Sequence, residues 1–73
     1  MTSKKKLIYW LEVEKSDKTI GRYSIYEKGR NIIIVNDSGY EHLMHPSAKS
    51  IEDEIRIVFQ SKVLKTILPG MER

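Results

Sequence analysis

Hydrophobic side chains stand at odd and even positions alike through residues 7–44, so a sheet built from this stretch is apolar on both faces. One amphipathic segment follows, and a single helix can cover only one of those faces. The surplus points to assembly or binding.

The chain has little else to stabilise it. A domain of 73 residues buries only roughly 60 to 65% of its unfolded surface, which leaves a marginal core. With no cysteine there is neither a disulfide nor a thiolate metal site, and two histidines cannot close a zinc site alone. Self-association is the remaining inexpensive device. Absence of cysteine fits a reducing compartment, and no apolar run approaches the ~20 residues of a membrane span or the form of a signal peptide. A cytoplasmic protein with no membrane partner is expected.

The net charge of +3 is local. Lys4, Lys5 and Lys6 account for all of it, so residues 7–73 sum to zero. Within that neutral body, Lys15, Lys18, Arg22, Lys28 and Arg30 outnumber Asp17 and Glu27 across residues 15–30. This is a lysine-rich start and one basic hairpin on an otherwise balanced chain.

Three turn signals divide the first half: Ser16-Asp17, Glu27-Lys28-Gly29 and Asn36-Asp37-Ser38-Gly39. The last two place glycine where a three-residue hairpin loop ends in a left-handed residue. Their even spacing predicts an antiparallel meander with strands over 6–15, 18–26, 30–36 and 40–44. In that register one face collects Ile8, Trp10, Tyr23, Ile25, Ile33, Val35 and Leu43. The other collects Leu7, Tyr9, Leu11, Val13, Ile20, Tyr26, Ile32, Ile34, Tyr40 and Met44. Ser50 with Asp53 resembles a capping box, acids fill the next turn, and Leu68-Pro69-Gly70 supplies a stop, so a helix is predicted over 50–67. Ile51, Ile55, Val58, Phe59 and Val63 form its sheet-facing stripe, whereas Ile57, Leu64 and Leu68 fall on another side. The expected fold class is α+β: a four-stranded antiparallel meander over 6–44 and one C-terminal amphipathic helix, in a single domain with residues 1–6 as a flexible basic tail.

Catalytic and metal chemistry find no footing. His42 and His45 fall on opposite faces of an extended segment, and His45 is constrained by Pro46. Glu52, Asp53 and Glu54 occupy a first helical turn, where the helix dipole alone favours acids. Ser24, Ser38 and Ser61 lack a nucleophile context, and Gly21, Gly29 and Gly39 match no phosphate-binding spacing. No cofactor, metal or catalytic residue is expected, and the protein is read as a non-enzyme.

Two functions are left. The first is a protein-interaction module, a small regulator or inhibitor that forms a homodimer and engages another protein. Its interface residues would be Ile57, Leu64, Leu68, Trp10 and Tyr23. The second is nucleic-acid binding, with Lys4, Lys5, Lys6, Arg22, Lys28 and Arg30 neutralising phosphates and Trp10, Tyr23 or Tyr26 stacking bases. The order of four strands and then a helix is similar to that of single-stranded nucleic-acid binders of the Pur-alpha and whirly type, whose units pair through their helices. It is also similar to small archaeal chromatin proteins that end in a helix. The likeness is one of element order.

Overall fold

The computed structural model describes residues 4–70. Residues 1–3 of the expected basic tail lie outside the described residues, and Lys6 already belongs to the first strand.

The meander forms as β1 (Lys6–Glu14), β2 (Ile20–Lys28), β3 (Asn31–Val35) and β4 (Glu41–Leu43). A helix α1 (Ile51–Phe59) follows, and then a further strand β5 (Lys62–Ile67) where the sequence pattern predicts continued helix. All neighbours are antiparallel and the order is β4-β3-β2-β1-β5. Counting directions through these pairs, β4 and β5 run the same way on opposite edges. The connection must therefore return across the sheet, and α1 makes that return over one face.

The predicted helix over 50–67 is half helix and half strand. It starts as expected: Ser50 is the N-cap, and its Oγ accepts from the Asp53 N–H at 3.1 Å. It stops early, at Gln60, whose left-handed backbone (φ 53°) turns its N–H onto the Ile55 carbonyl. Ser61 Oγ donates to the Phe59 carbonyl at 3.0 Å, satisfying another open helix end. Because Leu64 and Leu68 are not helical, the proposed stripe of Ile57, Leu64 and Leu68 does not exist. The element order is likewise no longer four strands and a terminal helix.

Loop lengths decide which face each strand presents. Between β1 and β2, Lys18 adopts φ 73°, making a three-residue loop closed by Lys15 N–H to the Thr19 carbonyl at 2.8 Å. Between β2 and β3, Lys28 pairs with Asn31 and Gly29 takes φ 62°, leaving a two-residue turn. One loop is a residue longer than predicted and the other a residue shorter, so the slips cancel for β3 and turn β2 over. Tyr23 and Ile25 consequently join Leu11 and Ile34, while Tyr26 joins Trp10 and Ile33. A bulge between Leu7 and Tyr9 moves Leu7 to the Trp10 side. The third loop matches the prediction, with Gly39 at φ 91° and Val35 opposite Glu41.

The core lies between α1 and the sheet. Leu11, Val13, Tyr23, Ile25, Ile34 and Ile55 are buried there, with Ile8, Tyr9, Ile32, Ile51, Phe59 and Val63 packed around them, so Ile8 leaves the Trp10 side on which the sequence places it. Ile51, Ile55 and Phe59 thus act as the expected sheet-facing stripe, whereas Val58 is 40% exposed.

Candidate interaction surface

The face of the sheet away from α1 has no covering element among the described residues. Register places its side chains in rows across the strands. One row is Leu7, Tyr26, Ile33 and Leu43, and the next is Ile67, Trp10, Ser24 and Val35. Further along lie Lys65, Glu12 and Arg22, then Lys62, Glu14 and Ile20. The face is therefore apolar over one half and charged over the other.

Cations sit on the two aromatic rings of the apolar half. Lys5 Nζ lies 4.8 Å from the centre of the Tyr26 ring and 2.7 Å from Glu41 Oε2. The Arg22 guanidinium lies 5.3 Å from the centre of the Trp10 ring. Lys5 thus reaches across the sheet toward β4. Leu43 remains 57% exposed and Ile33 only 8% exposed, so the band has a packed floor and an open rim.

The sequence-predicted residues scatter about this surface. Trp10, Arg22, Tyr26, Lys28 and Lys5 share the open face; Lys6 pairs opposite Glu27 on the helix side, Lys4 precedes β1, and Arg30 is in the turn after Gly29. Tyr23 is on the helix side, 2% exposed, with its hydroxyl 2.9 Å from Ser61 Oγ, so it offers nothing to a partner. Ile57 is exposed on the outer side of α1, Leu64 is the extra residue of a bulge in β5, and Leu68 follows that strand. Leu7 and Ile67 belong to the apolar band without having been assigned there. The β1 bulge and the unforeseen fifth strand put them in it.

A polar cluster on the helix side was also not foreseen. Glu54 is 7% exposed, its Oε2 2.7 Å from His42 Nε2 and 3.1 Å from the His45 backbone N. The His42 hydrogen bond, with the His45 N–H second, holds the Glu54 carboxyl below its usual range against the opposing effect of burial. The signal was present in the sequence: Glu54 falls within the Ile51-Ile55 stripe, and an acid on a core-facing stripe requires a partner. At the helix start, Arg56 bonds Asp53 at 2.8 Å and lowers its carboxyl in the same way.

Comparison with protein-family models, with curated proteins and with solved structures found no match.

Proposed function

We propose that the protein is a non-catalytic interaction module, a small regulator or inhibitor that self-associates through the open face of its sheet. The observation that carries this reading is the band Leu7, Trp10, Tyr26, Ile33, Val35, Leu43 and Ile67, left without cover by the described residues. Two such faces can stack as layers ~10 Å apart, and each apolar side chain buried contributes about 1.5 to 3 kcal/mol. The charged rows at the other end would set the relative orientation of the copies. Leu43→Glu tests this directly, because Leu43 lies on the rim and its replacement spares the core. Light scattering of the parent chain should give a dimer mass and the variant a monomer mass. A monomeric parent chain, or a dimer indifferent to Leu43→Glu, would remove the reading.

A second reading, single-stranded nucleic acid on the same face, is favoured by the placement of Lys5 over Tyr26 and Arg22 over Trp10. Lys4, Lys28 and Arg30 would add phosphate contacts, with Glu12, Glu14 and Glu41 opposing them. Quenching of Trp10 by a mixed-sequence oligonucleotide that weakens steeply with salt would support it. Unchanged fluorescence at low salt would exclude it.

A further inference from the structure

We propose that the free edge of β5 is a docking site for an extended segment of another protein, added as a sixth strand and carrying carboxylates at alternating positions. This edge shares Lys62 and Lys65 with the charged end of the open face, but the inference does not depend on the self-association reading.

The sheet has two edges and they are not equivalent. β4 contains three residues, too few for a lasting ladder, whereas β5 contains six. Among the described residues no strand pairs with the outer side of Lys62–Ile67. A row of edge amides and carbonyls is matched most completely by another extended backbone.

Beside this edge lies a groove of about 240 Å³ between α1 and the start of β5, lined by Ser50, Glu52, Asp53, Arg56, Ser61, Lys62 and Val63. Side chains of an added strand that point to the helix side would enter it, over the half-buried Val63. Those on the opposite side would meet Lys62 and Lys65, neither of which is ion-paired among the described residues.

The partner's chemistry can be read from the occupied side of β5. There β1 places Glu14 opposite Lys62 and Glu12 opposite Lys65, with Val13 opposite Val63. An alternating acidic and apolar strand is therefore what β5 already accepts. A second copy of β5 would crowd lysine against lysine, a repulsion that opposes edge-to-edge pairing of identical chains. The bulge at Leu64 acts in the same direction. The two lysines leave an acidic strand favoured, so repulsion contributes to selectivity, whereas the bulge disfavours any added strand at Leu64 whatever its charge.

The experiment is an NMR titration of the ¹⁵N-labelled full chain with a synthetic peptide copying residues 9–15, YWLEVEK. Controls carry lysine in place of both glutamates, or proline in place of valine. The expected result is shifted and exchange-protected amides confined to β5 and the Arg56 flank of α1, with β1 signals unmoved. The lysine peptide should bind about three- to tenfold more weakly, and the proline peptide not at all. No shifts at millimolar peptide, shifts centred on Trp10 and Tyr26, or loss of β1 signals through strand exchange would each overturn the proposal. So would concentration-dependent protection of β5 without peptide, which would assign the edge to a second copy.

Discussion

Glu54 on α1 and His42 on β4 meet side chain to side chain at 2.7 Å, and the same carboxylate oxygen receives the His45 N–H at 3.1 Å. One nearly buried acid thereby fastens both the short edge strand and the start of the link to the helix. β4 has only three residues with which to pair, so this attachment supplements a weak ladder.

The attachment predicts an acid limb in stability. The folded Glu54 carboxyl titrates below its unfolded value, so its stabilisation is complete above the ordinary carboxylate range and is lost as pH falls through the folded value. Glu54→Gln should lower the unfolding midpoint near neutral pH, and the difference from the parent chain should shrink as pH drops below about 4. Denaturant titrations of both chains across that interval check it. A difference that stays constant with pH would show that the charge on Glu54 contributes nothing.

Tyr23→Phe should cost about 0.5 to 1.5 kcal/mol. The substitution removes one buried hydrogen bond, to Ser61 Oγ, and retains the ring that packs edge-on against Phe59 at 5.2 Å between centres. Ser61 keeps its bond to the Phe59 carbonyl, so no donor is orphaned and the loss remains modest. A urea titration with unchanged slope would register the shift in midpoint alone.

Gln60→Gly should stabilise the fold. A left-handed backbone costs a side-chain-bearing residue about 1 to 2 kcal/mol, while glycine forfeits about 0.4 to 1 kcal/mol in unfolded-chain entropy. The expected gain is therefore between about 0 and 1.6 kcal/mol, seen as a higher midpoint, because Gln60 sits at φ 53° and is exposed. Destabilisation would indicate that the glutamine side chain holds this turn.

Gln60 also explains why the fifth strand was hard to read. The helix ends at a residue with no breaker character, while the glycine and proline that look like a stop lie at Pro69 and Gly70, beyond β5. The apolar residues of the strand continue the helical spacing closely enough that Val63 fits the stripe led by Ile51. The signal for a strand was the β-branched set Val63, Thr66 and Ile67. Lys18 acted similarly in the first hairpin, since a left-handed lysine is invisible to a search for glycine. The third hairpin, where Gly39 supplies that conformation, was legible to the residue. Of the open face, the sequence groups Trp10, Ile33, Val35 and Leu43 together, but places Tyr23 and Ile25 with them, which the turned-over β2 puts in the core, and Ile8, which packs against that core.

Two isoleucines on one helix separate core from surface. Ile55 is 0% exposed at the centre of the cluster with Leu11, Ile25 and Ile34, whereas Ile57 is 61% exposed on the outer side. Ile55→Ala should cost about 2 to 5 kcal/mol, comparable with the ~3 to 5 kcal/mol that a core of this size supplies, so the variant should lose its cooperative thermal transition. Ile57→Ala should stay within about 0.5 kcal/mol of the parent chain. Circular dichroism melts at two protein concentrations distinguish the alternatives. A large effect of Ile57→Ala that appears only at the higher concentration would place the outer face of α1 in a contact between copies, and would move the self-association surface away from the sheet.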